Sequence, residues 1–235
     1  MQNKLEKSYI LHQRAFSESS LILEVFTENL GRFSLLAKGA KRPKSFWRGL
    51  LVPFRPLLLS WTGRSDLKTL TQAEADGKSA LLVGTKLWCG LYLNELLMRL
   101  LSMGDPHDDI YKAYEIAVTE LDKTESEESV LRCFERDLLE GLGYGIEYCD
   151  FESGDPIEPE VLYIFDPAQG FSLLREANGK LTISGASILA LARGAFENAH
   201  QLKEAKMLLQ SAIQVHLGNK PLQTKQLFRE VRQFI

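Results

Sequence analysis

The sequence predicts an α+β protein in which a small five-stranded barrel comes first and a mainly helical domain follows. Short segments with alternating apolar residues recur as far as residue 74, and such alternation is typical of strands. From Ser79 onward the apolar residues recur at every third or fourth position, which is typical of helices. The helical spacing stops between residues 146 and 183, and this break predicts a small β-hairpin insertion.

Five strand-like segments predict the barrel. In SLILEVFT, Leu21, Leu23 and Val25 fall on one face, while Ile22 and Phe26 fall on the other. The OB-fold is the commonest small barrel of five strands, and it binds oligonucleotides. We therefore predict an OB-fold nucleic-acid-binding domain over residues 1–78, built from SYILHQR, SLILEVFT, GRFSLLAKG, FRPLLLSWT and DLKTLTQAE.

Residues 79–235 are predicted to form the helical domain. The segment from Ala80 to Leu101 is apolar nearly all round, which is typical of a central buried helix. The hairpin is predicted in EVLYIFDPAQGFSLLRE, with its turn at residues 166–170. Further helices are expected at 108–121, after Ser126 as far as Gly141, Gly143 or Gly145, and at 184–193, 201–217 and 224–234.

Charge is distributed unevenly along a chain whose formal net charge is −3. Residues 1–68 contain 12 Lys or Arg and 5 Asp or Glu, whereas the remainder has an excess of acids. The run between Glu28 and Asp66 contains no acid, and its cations are Arg32, Lys38, Lys41, Arg42, Lys44, Arg48, Arg55 and Arg64. Such asymmetry favours binding of a polyanion, the alternative being a solvated surface whose counter-charges come from the acidic part of the chain.

The segment AKGAKRPKSFWRG, which follows the third predicted strand, concentrates five of these cations around Phe46 and Trp47. Single-stranded nucleic acids are bound by cationic grooves that follow the phosphates, with aromatic faces on which bases stack. Each of the two aromatic residues has an alternative role, in which it packs on the barrel and anchors the loop. The predicted nucleic-acid contacts are Arg32, Lys38, Lys41, Arg42, Lys44, Phe46, Trp47 and Arg48.

No sequence motif indicates catalysis, a cofactor or a metal. The four histidines are isolated, and the P-loop, the G-x-S-x-G motif and C-x-x-C pairs are missing. Asp108 and Asp109, which follow His107, suit either a hydrated metal or an acidic helix start. The three scattered cysteines indicate a reducing compartment, and Lys86, Asn94, Glu95 and Arg99 interrupt the longest apolar segment. We therefore expect a cytoplasmic, non-enzymatic protein with no membrane span.

The sequence also resembles a known family, the bacterial recombination mediators called RecO. The resemblance rests on SLILEVFTENLGRFSLLAKGAKRPKS, GLYLNELLMRLL, LRCFERDLLEGLGYG and GNKPLQTKQLF, in order along nearly the whole chain. It implies an N-terminal OB-fold, a helical C-terminal domain, binding of single- and double-stranded DNA, annealing of complementary strands and no catalytic turnover. Many members hold zinc with four cysteines after the LGYG position, where this chain has only Cys149, so it resembles the zinc-free branch.

The same resemblance implies partners. These are RecR, the acidic C-terminal tail of single-strand-binding protein and, indirectly, RecA, with the protein at the nucleoid. The expected tail-binding residues are Leu131, Arg132 and Arg136, and the alternative is that both arginines pair with Glu128, Glu135 or Glu140. Two other functions remain open: an RNA-binding OB-fold adaptor, and a nuclease that uses Asp108 and Asp109 with Mg²⁺.

Overall fold

A computed structural model of the chain describes residues 4–63, 65–175, 181–218, 221–224 and 226–227. The chain divides into two compact units. The first unit contains residues 1–123 and 222–235, and the second contains residues 124–221. The domain boundary predicted after residue 78 stays a prediction.

The first unit is built on a closed barrel of five strands. Its strands are β1 (Glu6–Phe16), β2 (Ser20–Thr27), β3 (Gly31–Ala37), β4 (Leu57–Thr62) and β5 (Leu67–Ala75). Their order around the barrel is β1-β2-β3-β5-β4, and the pair formed by β3 and β5 is parallel while the other pairs are antiparallel. The predicted five-stranded barrel is confirmed, and it fits an OB-fold.

Both faces of strand β2 are buried, for different reasons. Leu23 and Val25 point into the barrel, where they join the buried core with Leu35, Leu57 and other apolar residues. Ile22 and Phe26, on the opposite face, are also buried, and the Phe26 ring lies 5.5 Å from that of Tyr111. One set of alternating residues in SLILEVFT therefore faces the inside of the barrel, and the other set faces the outer surface that the helices cover.

The described residues of the first unit also include two helices, α1 (Thr85–Leu100) and α2 (Asp108–Lys123). Helix α1 begins at Thr85 rather than near Ala80, because Gly84 has a left-handed backbone with φ of 56°, which interrupts a right-handed helix. The chain returns to this unit near its C-terminus, where the amides of Gln223 and Thr224 donate to the Glu95 carboxylate. Most of the helix predicted at 224–234 lies outside the described residues.

Asn94 joins the two helices to the barrel through its buried amide. Its Nδ2 donates to the backbone oxygen of Leu11 in β1 at 2.8 Å, and its Oδ1 accepts from the Tyr114 hydroxyl of α2 at 2.6 Å. The Tyr114 ring also meets Tyr9 of β1 edge-to-face, with ring centroids 5.1 Å apart. Burial raises the pKa of Tyr114 well above its ordinary value, so the hydroxyl keeps its proton for this bond.

The second unit contains three helices and a small sheet within its described residues. The helices are α3 (Glu127–Gly141), α4 (Gly185–Arg193) and α5 (Ala199–Leu217). The strands are β6 (Leu162–Asp166), β7 (Gly170–Leu173) and β8 (Thr182–Ser184), in the order β7-β6-β8. The predicted hairpin is therefore confirmed, while the short third strand β8 was not predicted. None of the helices in the described part of the chain combines the length and the apolar content needed to cross a bilayer.

Asp150 holds the loop before the hairpin against strand β7. Its Oδ1 accepts from the amides of Glu152 and Ser153 and from the Ser153 hydroxyl, at 2.9–3.1 Å. Its Oδ2 accepts from the amide of Leu173 at 3.0 Å. The hydrogen bonds from Ser153, Leu173 and Glu152 lower the pKa of Asp150 although burial opposes them, so the carboxylate is ionised at neutral pH.

Replacing Asn94 with Ala should lower the free energy of unfolding by about 2–4 kcal/mol, because the Leu11 carbonyl loses a buried donor and a cavity forms. Urea denaturation measures this change. Tyr114→Phe is the matched control, since it removes a single hydroxyl and should cost about 1 kcal/mol. The bridging role of Asn94 would be contradicted if Asn94→Ala lowered the free energy of unfolding by no more than Tyr114→Phe does.

The lowered pKa of Asp150 predicts an acid-sensitive hairpin. The carboxylate stabilises the fold above its unfolded pKa of about 4, and this stabilisation is lost as the pH falls through the lower folded value. Hydrogen exchange of the Leu173 amide, corrected for the intrinsic rate, should lose protection as the pH drops below about 4. In Asp150→Asn the protection should be low at every pH, whereas the control Asp166→Asn should behave like the unmodified protein.

Candidate nucleic-acid interface

The connection between β3 and β4 carries most of the predicted nucleic-acid contacts. Residues 38–56 form neither helix nor strand and advance through successive turns, with Ser45 N donating to Arg42 O at 2.9 Å and Leu51 N to Trp47 O at 3.2 Å. Ala40 and Leu51 are buried in the barrel core and fix this connection at two points. We call residues 38–49 the basic loop.

Five cations of the basic loop are exposed: Lys38, Lys41, Arg42, Lys44 and Arg48. Their side-chain contacts are with neutral backbone, since Lys41 Nζ lies 3.4 Å from Ser17 O and Arg48 donates to Pro43 O at 3.4 Å. Within the described part of the chain, none of the five forms an ion pair. Their positive charge is therefore not neutralised by a carboxylate of any residue that the structure describes.

Arg32 lies apart from these five cations. It is in strand β3, where its guanidinium is 3.5 Å from the Glu24 carboxylate and donates to Leu101 O at 3.1 Å. Burial lowers the pKa of Arg32, while Glu24 partly opposes this shift. The charge of Arg32 is thus balanced within the fold, which makes it the least available of the predicted phosphate contacts.

Phe46 and Trp47 are adjacent in sequence but differ in environment. The side chain of Phe46 is 80% exposed, whereas Trp47 is half-buried and packs against the barrel core. Their rings meet edge-to-face, with centroids 5.8 Å apart and an angle of 76° between the planes. The structure therefore separates an outward ring from an anchoring ring, which their sequence positions alone do not distinguish.

The turn between β1 and β2 adjoins the basic loop. The amide of Lys41 donates to Ser19 O at 2.9 Å, and its ammonium group reaches Ser17 O. Arg14 and Phe16, at the end of β1 that leads into this turn, are exposed as well. The sequence did not single them out, because the contact between loop and turn joins residues more than 20 positions apart. They extend the candidate interface beyond the predicted residues.

The three predicted tail-binding residues lie on helix α3, in the second unit. Leu131 is half-buried, and Arg132 is buried with its guanidinium 2.7 Å from the Glu135 carboxylate. This ion pair is the alternative role that the sequence offers for Arg132. The Nε and Nη1 atoms of Arg132 are also shielded from solvent, and neither has a hydrogen-bond partner among the described residues. Two buried cationic donors therefore lie beside the ion pair.

Arg136 binds the end of helix α4. Its Nη1 donates to the backbone oxygens of Leu191 and Ala192, at 2.9 and 3.0 Å, and its Nε donates to Asp137. Cations are favourable at the C-terminal end of a helix, where carbonyl groups lack amide partners. Burial opposes the charge of Arg136, but the hydrogen bond that it donates to the Asp137 carboxylate prevails and raises the pKa of the guanidinium.

Asp108 and Asp109, the acids considered as metal ligands, have other partners in the structure. Asp108 pairs with Lys112 one turn along α2, and Asp109 accepts from the amide of Ile110. Both begin helix α2, where acids suit the helix dipole. Among the residues that the structure describes, no three His, Cys, Asp or Glu side chains are grouped to hold a metal ion. The expectation that the protein folds without metal stays a prediction.

Comparison with known proteins gives consistent matches over almost the whole chain. Residues 1–77 match the family model of the recombination protein O N-terminal domain, and residues 82–226 match that of its C-terminal domain. A DNA repair protein RecO from Thiobacillus denitrificans is 43% identical over 235 residues, covering 96% of this chain and 91% of the relative. Proteins of the same name from Coxiella burnetii and Nitrosococcus oceani are each 44% identical, covering 95% and 97% of this chain and 96% and 94% of the relatives.

The two family models match successive parts of the chain in order, and the barrel with its helical continuation has the fold that the resemblance implied. The identity to each relative extends across both matched regions. The chain therefore belongs to the RecO family of recombination and DNA repair proteins.

Proposed function

We propose that this protein is a non-catalytic recombination mediator in DNA repair. It binds single- and double-stranded DNA, anneals complementary strands and, with RecR, helps to load a RecA-type recombinase onto strands coated by single-strand-binding protein. The observation that supports DNA binding is the basic loop, with five exposed cations that have no carboxylate partner among the described residues. The names of the similar proteins support the repair role.

The basic loop suits contact with phosphates rather than with particular bases. Lysine and arginine side chains that neutralise phosphates release counterions, and this gives affinity without sequence preference. A mediator acts wherever DNA is damaged, so contacts without sequence information suit the task. The same contacts bind two strands of any complementary sequence, and annealing then needs only that their bases stay accessible.

Tail docking is the second part of the proposal, and it involves helix α3. The terminal carboxylate of the single-strand-binding protein tail is a ligand for the free Nε and Nη1 donors of Arg132, and its apolar terminal side chain is a partner for Leu131. Arg136, the third residue of the proposed contact, lies one turn away, where it also pairs with Asp137 and binds the carbonyl end of α4. Because Arg132 is only 3% exposed, the tail reaches it only when neighbouring side chains move aside.

The protein acts, in this proposal, in the cytoplasm at the nucleoid, where its DNA and its partners are. Two measurements separate the candidate functions: an incubation of labelled complementary strands with Mg²⁺, and a parallel binding measurement on the RNA version of one strand. Joined strands support the mediator, shortened strands indicate a nuclease, and preferential binding of the RNA version of the same strand indicates an RNA adaptor.

Charge reversal in the basic loop should weaken binding to all DNA sequences alike. If about four to six phosphates are contacted, the plot of log affinity against log salt on single strands should have a slope of roughly −3 to −4. In the triple variant Lys41→Glu, Arg42→Glu and Lys44→Glu the slope should flatten, as measured by fluorescence anisotropy at several salt concentrations.

The matched control reverses the charge of three surface lysines that already pair with acids, in the variant Lys112→Glu, Lys123→Glu and Lys206→Glu. It changes the net charge by the same amount and should leave the salt slope nearly unchanged. An equal loss of DNA affinity in both triple variants would mean that the total charge of the protein, rather than the basic loop, determines binding.

Removing Arg132 should weaken binding of the isolated tail peptide by about 1–3 kcal/mol and leave binding of naked DNA unchanged. Removal of one partner from a buried ion pair also destabilises the fold, so the informative variant combines Arg132→Met with Glu135→Gln. Calorimetric titration measures the affinity, and thermal melting checks the fold. The control is Arg175→Ala, an exposed arginine of the same unit. Equal loss of tail and DNA binding in the double variant would exclude two separate sites.

A further inference from the structure

We propose that Phe46 is a stacking platform for one unpaired base and that Trp47 is its anchor, so that the basic loop distinguishes single strands from duplex. The inference rests on the proposed DNA binding and adds a strand preference to it. The cations of the loop bind phosphates of either form, whereas Phe46 contributes only when a base is free to leave its stack.

The position of Phe46 supports this role. Phe46 is 80% exposed and lies in sequence between Lys44 and Arg48, which are both exposed. A single exposed aromatic residue needs no explanation by itself, because such residues are common on protein surfaces. Here the ring belongs to a loop with cations on both sides, and this is the combination that single-strand-binding proteins use.

The surroundings of Trp47 hold Phe46 in its outward position. Trp47 packs on the barrel core, its amide donates to the Ser45 hydroxyl at 3.3 Å, and its carbonyl accepts from the amides of Leu50 and Leu51. The edge-to-face contact between the two rings then fixes the Phe46 ring against this anchored neighbour. A ring held in place before binding loses less conformational entropy when a base stacks on it.

Duplex DNA lacks the partner that Phe46 requires. Its bases are already stacked and paired, and opening one step of the stack costs a few kcal/mol. In a single strand every base has an accessible π-face, and stacking on an aromatic side chain tolerates all four bases. The selectivity conferred by Phe46 is therefore for the state of the strand and not for its sequence.

This selectivity has a consequence for annealing. When two bound strands pair, the base on Phe46 enters the new duplex and the stacking contact is lost. The phosphate contacts remain, so the affinity for the product is lower than that for the separate strands. The loop consequently favours release of the annealed duplex.

The test compares Phe46→Ala with the unmodified protein on a thymidine strand, an abasic strand of equal length and a blunt duplex. Binding to the thymidine strand should weaken about tenfold or more, as expected for loss of one stacked base. Binding to the abasic strand and to the duplex should stay within twofold, and the salt slope should not change. Phe46→Trp should restore the affinity for the thymidine strand.

The matched control is Phe151→Ala, which removes a 59% exposed phenylalanine from the other unit and should leave all three affinities unchanged. If Phe46→Ala weakens binding to all three ligands equally, Phe46 only shapes the loop. If Phe46→Ala leaves all three affinities unchanged, Phe46 makes no contact with DNA. Either result overturns the inference. Failure of this inference is distinguishable from failure of the proposed function. If the basic loop binds DNA without help from Phe46, the triple variant Lys41→Glu, Arg42→Glu and Lys44→Glu still loses affinity for DNA although Phe46→Ala does not.

Discussion

The parallel pairing of β3 with β5 is the constraint on which the barrel and its candidate interface depend. Strand β5 lies between β3 and β4 around the barrel, so the chain that leaves β3 must pass the end of β5 before it enters β4. A two-residue hairpin cannot make this connection. Residues 38–56 make it, and they have no place in the sheet ladder. Barrel closure thus produces a long exposed loop, in which the sequence places cations and aromatic rings instead of strand residues.

The loop is useful for binding only if its base is rigid, and the helices contribute to that rigidity. Strand β2 is buried on both faces because α1 and α2 cover the outside of the barrel there, with Asn94 bonded to Leu11 and Tyr114. A buried amide with both of its groups satisfied fixes the register between helix and strand better than apolar contact alone. The turn between β1 and β2 is built on the same strands, and the basic loop rests on it through Lys41.

Sequence patterns predicted the elements better than the roles of single side chains. Alternation located all five barrel strands, and the DPAQG turn located the hairpin, because both signals are local. The start of α1 was misplaced because the apolar run continues through Gly84, whose left-handed backbone is not visible in the pattern. The difference between Phe46 and Trp47, and the pairing of Arg32 with Glu24, depend on which residues meet in space. Residue type and spacing cannot supply that information.

The separation of charge along the chain shows how an acidic protein can present a site for a polyanion. Between Glu28 and Asp66 there are cations and no acids, while residues 137–174 contain nine acids and no Lys or Arg. Charges further apart than about 8–10 Å are screened from each other at physiological salt, so a phosphate responds to the charges nearest to it. A surface with cations interspersed among acids would give little net attraction. Concentrating the cations in one loop keeps the local attraction for a polyanion strong, whereas the acidic run offers none, so the sequence favours one segment of the chain for such a ligand.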